Sequence, residues 1–104
     1  MNEEHEVRIT VRIDSDLEDL IPNYLDKRRR DSEKILSALG RNDLETIRIL
    51  GHDMKGSGGG YGFNAITEIG TLLENSAKED DKEGIRRGIE MLGDYLNRVD
   101  VVYI

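Results

Sequence analysis

The spacing of apolar positions differs between the ends of the chain and its middle. Residues 7–13 alternate apolar and polar side chains, the two-residue period of a half-buried strand. A second β-rich stretch, at about residues 100–104, closes the sequence. We therefore expect two short extended segments that pair with each other or lie side by side. Pairing with another chain is the competing possibility, because an exposed strand edge also attracts other strands.

Between these ends, apolar residues recur every three or four positions in successive runs, which is the spacing of amphipathic helices. Asp14-Ser15-Asp16 supplies N-cap candidates before the first run. Pro22 either opens the next helix in its first turn or kinks the one before it. The first long helix is predicted to end at Gly40.

Turn and cap residues divide the rest of the helical region into three further helices. Asn42 or Asp43 caps the second, which the following glycines should end somewhere after Ser57. Asn64 is the expected cap of the third, and the fourth is predicted to begin at Lys82.

Four amphipathic helices joined by short connections predict an all-α fold, an antiparallel up-and-down four-helix bundle. A length of 104 residues fits a single domain. We expect an N-terminal extended segment at residues 1–15, the bundle at 16–100 and a C-terminal extended tail at 101–104.

The second helix carries a histidine on its polar face. On a helix that advances about 100° per residue, His52 shares one direction with Arg48, Lys55, Gly56 and Gly59. The opposite direction is taken by Ile47, Leu50, Met54 and Ser57. The imidazole should therefore face solvent, beside cations and beside positions that carry no side chain.

This arrangement suits phosphoryl transfer. A neutral imidazole is a nucleophile at physiological pH, and transfer to it depends mainly on positioning and on neutralising the charge of the moving group. Lys55 supplies positive charge one turn from His52. Gly56 and Gly59 would let the backbone of a partner approach, whereas Gly58 points to neither face and is expected to serve close packing.

Two further residues belong to the expected docking surface for a partner. Arg48 precedes His52 by one turn on the same face. Ile49 lies near the edge of that face, where burial of an exposed apolar side chain by a partner would favour binding.

The segment resembles the signature of histidine-containing phosphotransfer (HPt) domains. That signature is a histidine, any residue, an aliphatic residue, then Lys-Gly-Ser or Lys-Gly-Ala, with a further glycine about six residues on. The matching positions are His52, Met54, Lys55, Gly56, Ser57 and Gly62. Leu73-Glu74 matches the Leu-Glu common in the next helix, and the resemblance spans roughly Leu17 to Val99. The glycine run 58–60 and Tyr61, which takes the place of a common aliphatic residue, depart from the pattern.

The resemblance implies an intermediate of a two-component phosphorelay. His52 would accept a phosphoryl group from the phospho-aspartate of a receiver domain and pass it on, with Lys55 steadying the group. The implied partners are a response-regulator receiver domain, a hybrid sensor histidine kinase, or both. Such domains have no kinase activity, bind no nucleotide and need no cofactor of their own, and any magnesium belongs to the receiver.

Composition narrows the remaining choices. A formal charge of −7 argues against a nucleic-acid partner. The absence of cysteine fits a reducing compartment, and no apolar run is long enough to span a membrane, so we expect a cytoplasmic protein without membrane association. The acidic cluster at 79–83 lacks the ligand spacing of a calcium loop, and we expect no metal site. The basic run at 27–30 is predicted to be a solvated helix face; the alternative is a docking role, in which some of these arginines lie at the rim of the histidine site and meet acidic groups of the receiver.

Two other functions are compatible with the sequence. One is a helical adaptor without chemistry, which binds a receiver or another signalling protein through the same face. The other, weaker, is dimerisation through the terminal strands. The oligomeric state is open at this level.

Overall fold

The computed structural model describes residues 7–104, so the first six residues of the expected N-terminal segment lie outside the described part. Its elements are, in chain order, a strand, four helices and a second strand, with two 3₁₀ turns, one before the first helix and one between the second and third helices. The strands are β1 (Ile9–Ile13) and β2 (Val99–Tyr103), and the helices are α1 (Ile21–Gly40), α2 (Leu44–Ser57), α3 (Asn64–Lys78) and α4 (Lys82–Arg98). The predicted all-α bundle with short terminal strands is confirmed.

Helices α1, α2 and α4 begin where the sequence places a short polar side chain or proline. Pro22 opens α1 from its first turn. Asp43 caps α2 by accepting hydrogen bonds from the amide of Thr46 at 3.2 Å and from its hydroxyl at 2.6 Å. Asp81 caps α4 through the amide of Gly84 at 3.0 Å.

One predicted cap is wrong. Asn64 is the first residue of α3, and the cap position belongs to Phe63, which makes no side-chain cap hydrogen bond. The ring of Phe63 is fully buried, so packing rather than a polar side chain fixes this helix start. The amides of Ile66 and Thr67 bond to the carbonyl of Phe63 at 2.9 and 3.3 Å.

The core lies along the inner faces of the four helices. Its completely buried side chains come from every helix and from the loop before α3: Ile35, Ala38, Ile47, Met54, Phe63, Ile66, Leu73, Ile85 and Leu92. These residues follow the three-to-four spacing that predicted the bundle.

The chain ends pair in parallel, which confirms that they meet. The register runs from Ile9 opposite Val99 to Ile13 opposite Tyr103. Ile13 is only 2% exposed, so β1 contributes to the core. The turn after α2 packs against it: Gly62 has a φ of 95°, and a Cβ there would lie 3.1 Å from the Cδ1 of Ile13.

Candidate functional site

The second helix presents His52 to solvent. Its side chain is 65% exposed, whereas Ile47 and Met54 on the other side of α2 are completely buried. Helix α2 therefore has a histidine face and, on its opposite side, a core face, as predicted.

Two glycines bring α2 and α3 into backbone contact beneath this face. A Cβ at Gly51 would lie 2.7 Å from the amide nitrogen of Glu74 and 2.9 Å from the carbonyl oxygen of Gly70. A Cβ at Gly70 would lie 2.5 Å from the amide nitrogen of Lys55. Neither position has room for a side chain, because backbone atoms cannot move aside. The close approach places Glu74 of α3 next to His52 of α2.

Glu74 organises the groups around the histidine. Its side chain is only 4% exposed. One carboxylate oxygen lies 3.0 Å from the Nδ1 of His52, and the other lies 3.0 Å from the ammonium of Lys55. Lys78, one turn further along α3, approaches the carboxylate at 3.6 Å. A single buried acid thus gathers one imidazole and two cations.

These neighbours keep Glu74 ionised. The Lys55 ammonium is the main cause that lowers the pKa of Glu74 to about 2, against the opposing effect of burial, and the hydrogen bond with His52 adds to the lowering. An ionised carboxylate only accepts hydrogen bonds, so the Nδ1 of a neutral His52 carries the proton and donates. The lone pair of Nε2 is then directed outward, and no residue within 7–104 hydrogen-bonds it.

The four expected docking residues differ in their exposure and contacts. Ile49 is 51% exposed. Arg48 is held by Glu45 through two hydrogen bonds of 2.9 and 2.7 Å. At Gly56, an added Cβ would meet nothing within 4 Å. At Gly59, an added Cβ would make ordinary contacts at 3.5 and 3.6 Å with the first two turns of α3.

Gly58 differs from its neighbours, as the sequence indicated. It is buried, and a Cβ there would lie 2.6 Å from the amide of Thr67 and 2.8 Å from the carbonyl of Phe63. The hydroxyl of Thr67 also accepts a hydrogen bond of 2.8 Å from the amide of Gly59. This glycine therefore serves the packing of the turn against α3.

The other side of α2 is fastened to α1 by a buried arginine. Arg28 is 1% exposed and bonds to the hydroxyl of Ser57 at 3.0 Å and to Asp53 at 3.4 Å. It also pairs at 3.0 Å with Asp31, whose pKa burial raises. Tyr24 donates to or accepts from the same Ser57 hydroxyl at 2.9 Å. The expectation that the basic run 27–30 is entirely solvated is wrong at this position.

Sequence reasoning missed two features of the site. The sequence does not connect Lys78 with His52, because the two residues are 26 positions apart and only the packing of α3 on α2 brings them together. Glu74 is part of the Leu73-Glu74 match to the family pattern, but the sequence alone assigns it no role at the site. Its signal was an acidic residue at a position where the α3 pattern demands burial.

The fold and the site together define a four-helix bundle that presents a carboxylate-bound histidine on its second helix. A family model described as Hpt domain matches residues 19–101, and the chain belongs to this family. Family membership implies histidine phosphotransfer in phosphorelays and interaction with receiver domains. Comparison with curated proteins and with solved structures gave no significant match.

Two further properties hold for the described residues. None of the helices within 7–104 is both long enough and apolar enough to cross a bilayer. In the same range, no cluster of three or more histidine, aspartate or glutamate side chains is arranged to hold a metal ion.

Proposed function

We propose that His52 is the phosphoacceptor, which takes a phosphoryl group from the phospho-aspartate of a receiver domain and passes it to another. The observation that carries the proposal is the hydrogen bond between Nδ1 of an exposed His52 and a buried, ionised Glu74. This contact fixes the ring and directs the other nitrogen toward a partner.

The transfer needs no proton movement at the reacting nitrogen. The lone pair of His52 Nε2 attacks phosphorus in line, the P–O bond to the aspartate breaks, and the electron pair leaves with a regenerated carboxylate. The Nδ1 proton stays on the ring throughout. The ring becomes more positive as the P–N bond forms, and Glu74 stabilises that charge at a distance of 3.0 Å.

Lys55 and Lys78 act as a pair of electrostatic helpers. Both ammonium groups are about half exposed and lie against the carboxylate that holds the ring. Both ammonium groups are therefore placed beside the carboxylate that contacts the ring, on the solvent-exposed side from which a phosphoryl group would arrive. Their positive charge offsets the negative charge on the transferred oxygens.

The docking surface for the receiver consists of Arg48, Ile49, Gly56 and Gly59. Ile49 supplies exposed apolar area, and Gly56 leaves open space over the helix. Arg48 adds positive charge at the edge of the surface, where it complements the acidic pocket in which a receiver carries its phospho-aspartate and binds magnesium. The receiver brings that metal ion with it.

Transfer of labelled phosphate from a set of phosphorylated receiver domains tests the proposal. The parent should acquire acid-labile, base-stable label. His52→Gln should acquire none while it retains its affinity for the receiver. His5→Gln, which removes the chain's only other histidine, is the matched control and should be labelled like the parent.

Two results would overturn the proposal. Label that persists on His52→Gln would place the acceptor elsewhere. Binding of a cognate receiver by the parent without any transfer of label would favour a helical adaptor that uses the same face.

A further inference from the structure

The sheet formed by the chain ends has an open edge along β2. Ile104 donates to the carbonyl of Ile13 at 2.9 Å and accepts from the amide of Ser15 at 3.2 Å, so its backbone groups face β1. Backbone groups alternate in direction along a strand, which turns those of Val101 and Tyr103 away from β1. Within residues 7–104, no hydrogen bond reaches the outward groups of these two residues.

This edge lacks the lysine and proline residues that often protect a strand edge from pairing. Residues 99–104 contain no proline, lysine or arginine, and the only charged side chain, Asp100, is held by Arg8 at 3.2 Å. Val102 is 45% exposed and Ile104 is 69% exposed. The opposite edge differs, since β1 and the residue before it carry Arg8 and Arg12 on the solvent face.

The β2 edge is complementary to itself. In an antiparallel pair centred on Val102, Val101 of one chain faces Tyr103 of the other, and each pair exchanges two hydrogen bonds between groups that are free in the monomer. Val102 faces its own copy across the two-fold axis, and Asp100 faces Ile104. Among the side chains, no like charges oppose each other, whereas pairing through the β1 edge would crowd four arginines onto one short face.

We propose that a second copy of this chain pairs antiparallel with the outer edge of β2, about a two-fold axis at Val102. The product is a four-stranded sheet in the order β1-β2-β2-β1, with both bundles packed on the same face of it, because opposed side chains of an antiparallel pair point to one face. A two-stranded sheet alone is only marginally stable, and two more strands remove that weakness. The interface lies on different elements from His52, so each copy keeps its histidine face.

Sedimentation over a wide concentration range tests the assembly. The parent should approach twice the chain mass as concentration rises. Val102→Lys, which sets two ammonium groups against each other at the axis, should remain monomeric at every concentration. Leu36→Lys is the matched control, because Leu36 is a similarly exposed apolar residue on α1 at 59%, and this variant should dimerise like the parent. Circular dichroism checks that each variant is folded.

Cross-linking tests the register. The chain has no cysteine, so Val102→Cys introduces a single thiol that faces its own copy in a non-hydrogen-bonded pair, the closest position in an antiparallel ladder. Under mild oxidation this variant should form a disulfide-linked dimer much faster than Leu36→Cys. A parent that stays monomeric, a Val102→Lys variant that still dimerises, or equal cross-linking of the two cysteine variants would each overturn the proposal.

Discussion

At the scale of single residues, the site depends on a carboxylate that serves three neighbours. Helical spacing alone correctly predicted that His52 faces solvent. It could not predict that Glu74 binds the imidazole, because the two residues are 22 positions apart and meet only through the packing of two helices. Ser57 is similar: the sequence placed it on the core side, but its contact with a buried Arg28 required the fold.

Replacing Glu74 with Gln should slow phosphotransfer roughly tenfold or more, because a charge-assisted hydrogen bond to the ring becomes a neutral one and the Nδ1–H tautomer is no longer enforced. Receiver affinity should change little. Rapid-quench measurement of labelled transfer, beside receiver titration, separates the two effects. Glu68→Gln, an exposed acid on the same helix, is the control. An unchanged transfer rate in Glu74→Gln would remove this residue from the mechanism.

Acid should weaken the fold through the same residue. The pKa of Glu74 is lowered from 4.5 to about 2, so the unfolded chain binds the proton more tightly. Its stabilising contribution is complete above about pH 4.5 and is lost as pH falls toward 2. The difference in urea midpoint between the parent and Glu74→Gln should therefore shrink across this window. The pKa of Asp31 is raised, so its contribution to stability changes with pH in the opposite direction. Asp31 is present in both proteins, so its contribution cancels from the difference between their urea midpoints.

At the scale of elements, helices α2 and α3 pack with their backbones in direct contact at Gly51 and Gly70. Sequence patterns predicted both helices and their apolar faces, since amphipathic spacing is local information. They did not single out Gly51 and Gly70, because a glycine needed for backbone contact looks in sequence like any other weak point in a helix. The wrong cap at Asn64 has a related cause: burial of Phe63 outweighed a local capping preference.

Replacing glycines on the two sides of α2 with alanine should change the free energy of unfolding in opposite directions. Gly51→Ala should lower the free energy of unfolding by about 1–3 kcal/mol, because the methyl group meets backbone atoms of α3 at 2.7 and 2.9 Å. It should also slow phosphotransfer by displacing Glu74 from His52. Gly56→Ala, where nothing lies within 4 Å, should raise the free energy by up to about 1 kcal/mol through helix propensity. Urea denaturation measures both, and equal effects would contradict the packing described here.

At the scale of the whole molecule, the first strand pairs with the last one. Alternating apolar residues at one end and a β-rich stretch at the other predicted their meeting. The parallel direction and the register from Ile9 opposite Val99 were not predictable, because they depend on where α1 starts and where α4 ends in space. The first strand is consequently a structural part of the bundle.

Ile13→Ala should lower the free energy of unfolding by about 2–5 kcal/mol, because the side chain is 2% exposed and leaves a cavity beside Gly62. Val102→Ala, at an exposed position of the partner strand, should change it by less than about 0.5 kcal/mol. Thermal and urea unfolding below the dimerisation range measure both. A small effect of Ile13→Ala would mean that the bundle is complete without its first strand.

The parallel pairing also determines how long a linker a circular permutant of this protein needs. Because both strands run the same way, Val7 and Ile104 lie beyond opposite ends of the sheet, roughly 23 Å apart at about 3.3 Å for each register step between them. A circular permutant needs at least about seven residues between Ile104 and Val7 to return along that length. The turn between α1 and α2, where Asn42 has a φ of 59°, offers new termini away from the histidine face. An antiparallel pair would have needed only a tight two-residue turn.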